Sequence, residues 1–144
     1  MAAKVTLAIL LLYIVISPSN VAAADDVTEV KGKAVVFYGP AQQEYDAHPE
    51  VEREEWTEVL SDFEYYRDLI IPFLEKNGIA PVSTVASKIN IQLEGNKRHT
   101  YVRKDFDHVV GYIMTDGKSE PKVVTGVGTD SDLLMDFKEY FKIK

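Results

Sequence analysis

Between residues 56 and 74 the apolar side chains Trp56, Val59, Leu60, Phe63, Tyr66, Ile70, Phe73 and Leu74 recur at three- and four-residue steps. That period predicts an α-helix with a single apolar stripe. Such a stripe must lie against another element of the chain, and its neighbours indicate which kind. Ala34, Val35, Val36, Phe37 and Tyr38 form an unbroken apolar run between Lys33 and Gly39-Pro40. A run of that length reads as a strand buried on both faces, as at the centre of a mixed or parallel sheet. A second short run, 81–86, follows the helix stop at Asn77-Gly78. Strand, long helix and strand in this order predict a parallel pair joined by a helical crossover.

The ends of the long helix carry their own signals. Asp46 suits an N-cap and Pro49 a first turn, and Glu50, Glu52, Glu54 and Glu55 sit where the helix dipole favours negative charge. Pro72 has no N–H for the Asp68 carbonyl and is expected to kink or restart the helix. Residues 25–32 are polar and read as a loose leader. Ile89, Ile91 and Leu93 alternate with polar residues, Glu94-Gly95-Asn96-Lys97 suits a turn, and residues 99–102 are expected to return antiparallel. The run 109–114 ends at the tight-turn pair Asp116-Gly117, and residues 122–127 return beside it. Thr129 or Asp130 caps a last helix whose one face holds Leu133, Leu134, Phe137, Tyr140 and Phe141.

The first 24 residues read as an address. Lys4 precedes an apolar run over residues 5–16, Pro18-Ser19-Asn20 breaks it, and Ala22-Ala23-Ala24 offers small residues for cleavage after Ala23 or Ala24. That is the order of a secretory signal peptide, and the run is shorter than the roughly 18–20 apolar residues that span a bilayer. The expected product is a single domain over residues 25–144, periplasmic or secreted, with no stable membrane anchor after cleavage. The chain holds 16 Lys+Arg against 23 Asp+Glu, a formal charge of −7, and no cysteine. The acidic balance argues against non-specific nucleic-acid binding. The absent thiols exclude cysteine nucleophiles, disulfide exchange and cysteine metal sites.

The order of elements resembles the thioredoxin-like superfamily, a βαβ half followed by a ββα half. Val35-Val36-Phe37-Tyr38-Gly39-Pro40 is similar to the strand that ends in F-Y-A-P in protein disulfide isomerase domains. The stretch 111–126 is similar to that family's central strand, D/N-G turn, edge strand and glycine. The resemblance covers most of residues 33–144. It implies an α/β fold of the three-layer thioredoxin-like type, with a mixed central sheet, a long helix after the first strand and a C-terminal ββα unit. Gln42 and Tyr45 stand where the two redox cysteines would be. Val109-Val110 stand where the family places its cis-proline, and the hairpin expected over residues 88–103 replaces a helix. Without thiolates the family's redox chemistry is lost, and only the scaffold carries over.

The loop of residues 39–48 leaves the C-terminal end of the first predicted strand, the edge where open α/β sheets bind ligands. Pro40, Gln42, Gln43, Glu44, Tyr45 and His48 are the expected binding residues, supplying amide, carboxylate, phenol and imidazole in one stretch. A solvated loop with a helix cap is the plainer reading of the same residues. No cofactor or metal is expected, since His48 beside Asp46, Glu50 and Glu52 suits a salt link better than the three or four ligands a metal needs. The favoured role is a redox-inactive module for a protein or peptide partner, of accessory, chaperone-like or inhibitor/immunity type. The alternative is a non-thiol hydrolase or metal-dependent activity using His48 and nearby carboxylates, for which His48 and at least two acids should converge in a concave pocket. No serine stands in a G-x-S-x-G elbow. Lys97, Arg98, His99, Arg103 and Lys104 form the one basic cluster and are expected as a solvated hairpin tip.

Overall fold

The computed structural model describes residues 26–144. The expected signal peptide and its cleavage site lie outside the described residues. The elements are β1 (Val27–Lys31), β2 (Ala34–Tyr38), α1 (Gln42–Ala47), α2 (Glu50–Lys76), β3 (Ala80–Thr84), β4 (Lys88–Leu93), β5 (Lys97–Val102), β6 (Gly111–Thr115), β7 (Lys122–Thr125) and α3 (Asp130–Phe141). They form two mixed sheets, one of four strands in the order β3-β2-β6-β7 and one of three in the order β1-β4-β5.

Every residue of β2 is buried, so both faces of its sheet need a cover. On one face Val35 and Phe37 from β2 and Tyr112 and Met114 from β6 pack against Phe63, Ile70 and Leu74 of α2 and Leu133 and Phe137 of α3. Phe37 meets Phe63 and Phe137 edge-on, with ring centroids 6.0 and 6.4 Å apart, a favoured aromatic geometry. On the other face Ala34, Val36, Tyr38 and Ile113 pack against Val30, Ile89, Ile91 and Leu93 of the three-stranded sheet. The strand period of two thus sends alternate side chains of β2 to a helical layer and to a second sheet.

The parallel pairing of β2 with β3, antiparallel to β6, follows the expected crossover. The hairpin expected over residues 88–103 is present, with Leu93 opposite Lys97 and Lys88 opposite Val102. Its turn carries positive φ at Gly95 and Asn96. Thr129 caps α3, its hydroxyl accepting from the Asp132 N–H at 3.4 Å. Asn77 and Gly78, the latter at φ 71°, close α2.

Three expectations are corrected. Residues 27–31 are a strand, not a leader, so the long helix follows the second strand. Polar composition hid Val30, which is buried in the second core, while cross-strand polar contacts serve the outer face. There Asn90 Nδ2 donates to Glu29 at 2.8 Å and Thr100 donates to Asn90 Oδ1 at 2.8 Å. Asp46 does not cap the long helix. It lies inside α1, where Gln42 Nε2 donates to it at 2.9 Å, and Pro49 takes the N-cap position of α2. Pro72 does not restart the helix, since α2 runs through it to Lys76. Both Pro72 and Asp68 are exposed, so the freed carbonyl is left to water and the ring costs no core contact.

Gly111 marks a close approach between strands. A β-carbon there would overlap the Tyr38 hydroxyl and the Val124 carbonyl, whereas one on Gly39 would stop 3.9 Å from Val110. Gly111→Ala is expected to cost about 3 kcal/mol of unfolding free energy, and Gly39→Ala less than about 1 kcal/mol. Urea denaturation of both variants checks this, and equal midpoints would refute the close packing at Gly111.

Candidate functional site

The chain leaves the C-terminal end of β2 at Gly39, whose N–H donates to the Thr84 carbonyl at 3.1 Å. It then turns into the short helix α1, which holds most of the expected binding residues. Their polar groups are engaged within the fold. Glu44 Oε1 caps α1 through the Ala41 N–H, and Arg103 grips both Glu44 oxygens, one guanidinium contact measuring 2.9 Å. Gln42 bonds Asp46. The Tyr45 hydroxyl meets the Thr57 hydroxyl at 2.5 Å, and Thr57 in turn donates to the Arg53 carbonyl at 2.7 Å. His48 places Nε2 2.7 Å from Glu52 and stacks on Trp56 with ring centroids 3.9 Å apart. Gln43 is exposed.

Arg103 corrects the sequence reading. Its place beside Lys97, Arg98, His99 and Lys104 predicts a solvated tip, yet its side chain is only 6% exposed, against 34% for Glu44. Nε donates to the Ala86 carbonyl at 2.9 Å and Nη2 to the Val85 carbonyl at 3.1 Å. The planar fork therefore ties the end of the β4–β5 hairpin to the β3–β4 connection and to α1. A lysine offers no such fork. The hydrogen bonds from Arg103 hold the Glu44 carboxyl below its ordinary range, against the opposing effect of burial.

Two clefts flank this anchored segment. A groove of about 600 Å³ is lined by Pro40, Gln42, Tyr45, Thr57, Leu60, Ser61, Glu64 and Val85, and Val85 is 51% exposed. A separate cleft of about 650 Å³ holds His48, Glu52, Glu55, Trp56 and Val59 on one side. Asp107, His108, Val109, Val110, Gly126 and Val127 line its other side. The structure thus divides the six expected residues. Pro40, Gln42 and Tyr45 share the first groove, His48 enters the second cleft, Glu44 is an anchor, and Gln43 lines neither.

Trp56, Asp107 and His108 were missed as site residues. The helical period places Trp56 in the core stripe, and the loop 106–110 has no local pattern that would aim it at α2. The second cleft does bring His48 together with acids in a concavity. It has no Ser, Thr or Tyr side chain in its lining, while the hydroxyls of Tyr45, Thr57 and Ser61 line the first groove. Among the described residues no three His, Asp or Glu side chains are grouped to hold a metal ion. No helix among them is long and apolar enough to cross a membrane. Comparison with protein-family models, with curated proteins and with solved structures finds no match.

Arg103→Ala is expected to lower stability by about 2–3 kcal/mol, because it leaves two carbonyls and a half-buried carboxylate without their donor. Arg103→Lys should recover only part of that loss. Lys97→Ala and Lys104→Ala should stay within about 0.5 kcal/mol of wild type, as denaturant titration would show. A lowered carboxyl pKa contributes stability above the ordinary value, 4.5 for Glu44, that is lost as pH falls through the folded value. The stability gap between wild type and Glu44→Gln should therefore be full at pH 6–7 and shrink on acidification. A gap that is flat with pH would refute the ionised pair.

Proposed function

We propose that the chain is a redox-inactive, thioredoxin-like binding module of the periplasm or extracellular space. It holds an extended protein or peptide segment in the groove formed by Pro40, Gln42, Tyr45, Leu60 and Val85. The observation that carries this reading is the engagement of the loop's polar side chains with one another, with Glu52 and Thr57 of α2, and with Arg103. Groups held in this way form a rigid, preformed surface of mixed character, which lowers the ordering cost of binding. The strand order β3-β2-β6-β7, with β2 and β3 parallel and β6 and β7 antiparallel, supports the thioredoxin-like scaffold. The three-stranded sheet stands on the face where the family's helix is expected. The first 24 residues support the compartment by their n-, h- and c-region order alone.

The hydrolytic alternative draws on one observation, the His48–Glu52 contact inside the second cleft. In that reading the dyad would activate water, since the cleft lining has no side-chain hydroxyl to serve as nucleophile. His48→Ala would then abolish a turnover measurable on a panel of peptide, ester and glycoside substrates.

The binding reading is tested by selecting peptides from a random display library on the purified protein. Selected peptides are expected to bind the wild type, to weaken about tenfold or more on Tyr45→Ala and Val85→Glu, and to be indifferent to Lys104→Ala. Failure to enrich any peptide, or equal binding to all variants, would overturn the groove as a binding site.

A further inference from the structure

We propose that the second cleft, between α2 and the loop before β6, binds an arginine side chain carried by a polypeptide partner. The inference rests on the binding-module reading, but not on the Tyr45 groove. Three carboxylates line the cleft, Glu52 and Glu55 from the helix and Asp107 from the facing loop, and no Lys or Arg joins them. His48 holds Glu52, while Glu55 and Asp107 have no ion-pair partner among the described residues. The surrounding charge has the same sign, because α2 carries nine acidic against three basic residues. A cationic group is therefore favoured electrostatically at the cleft mouth, and long-range attraction would raise its local concentration.

The floor specifies what kind of cation. Trp56, Val59, Val109, Val110 and Val127 are apolar, and the stacked His48 and Trp56 rings give a planar aromatic wall. A compact, hydrated ammonium gains little there. A guanidinium on an aliphatic stem packs its methylenes on the valines, stacks against an aromatic plane and forks to carboxylates. The volume of about 650 Å³ lies within the range of about 300–1,000 Å³ that takes a whole drug-sized ligand. That is more room than one side chain fills, so the valines on either side would receive the flanking residues of an extended chain.

Trp56 is the only tryptophan of the chain, so its fluorescence reports the cleft directly. The purified protein would be titrated with acetyl-Val-Arg-Val-amide, with the same tripeptide carrying citrulline in place of arginine, and with arginine amide. The expected result is a saturable change in Trp56 emission with the arginine tripeptide. Its apparent Kd should rise with salt, and the citrulline tripeptide should bind about tenfold or more weakly. The double variant E55Q/D107N should lose that preference while keeping wild-type far-UV circular dichroism. Equal responses to arginine and citrulline, or no saturable response to either, would overturn the proposal. Arginine amide binding as tightly as the tripeptide would overturn its polypeptide part. An arginine response retained by Tyr45→Ala, in a protein that enriches no peptide at the first groove, would support this cleft and sink only the groove.

Discussion

Strand β2 is buried on both faces, and that constraint arranges nearly everything else. An apolar strand of this kind is stable only in a sheet covered on both sides. The chain supplies two covers of different construction. One is helical, with α2 and α3 laying aromatic and aliphatic stripes on Val35, Phe37, Tyr112 and Met114. The other is the β1-β4-β5 sheet, whose alternating Ile89, Ile91 and Leu93 meet Val36, Tyr38 and Ile113. In that sheet β1 pairs in parallel along β4 and adds Val30 to the core between the sheets. Thr28 and Thr84 join the two sheets near the chain's exit from β2, with hydroxyl oxygens 2.7 Å apart.

The second cover also reaches the candidate site. The hairpin ends at Arg103, and the same guanidinium that closes the β3–β4 connection holds Glu44 of α1. A helix of six residues is too short to be stable by itself in water. Its persistence at the end of β2 depends on this clamp, on the contact between Tyr45 and Thr57, and on the start of α2. The first groove, which Val85 lines, is accordingly tied to a residue of the second cover.

Patterns of local period were legible in the sequence, and contacts between distant segments were not. The stripe on α2, the five-residue run of β2 and the alternation in β4 each announce their element within a window of a few residues, whereas the tight turn expected at Asp116-Gly117 is a longer connection over residues 116–121, in which Asp116 accepts from the Lys118 and Ser119 N–H groups. Strand β1 escaped because only Val30 of its five residues is buried, so no alternation is visible. Arg103 escaped for a different reason. In the sequence it neighbours Lys104 and follows Lys97 and Arg98, and nothing local separates a clamped arginine from a solvated one. Its partner stands 59 positions away. Residues 40–48 read as one stretch in the sequence, whereas the fold divides them between two clefts and the Glu44 anchor.

That division follows from the geometry of α2. The groove takes Thr57, Leu60, Ser61 and Glu64 from the helix, and the second cleft takes Glu52, Glu55, Trp56 and Val59. Each set has the spacing i, i+3, i+4, i+7 of one helical face, and the two are offset by five positions. At about 100° per residue the faces stand about 140° apart around the helix. Leu60 and Val59, one from each set, pack their inner sides on the core. The core stripe therefore runs between the clefts and separates them. The hydroxyls of Tyr45, Thr57 and Ser61 therefore stand on one side of that stripe, and the imidazoles of His48 and His108 on the other. One helix thus contributes one face to a groove of mixed polarity and another to a cleft that is acidic and aromatic, because its core stripe is narrower than its circumference.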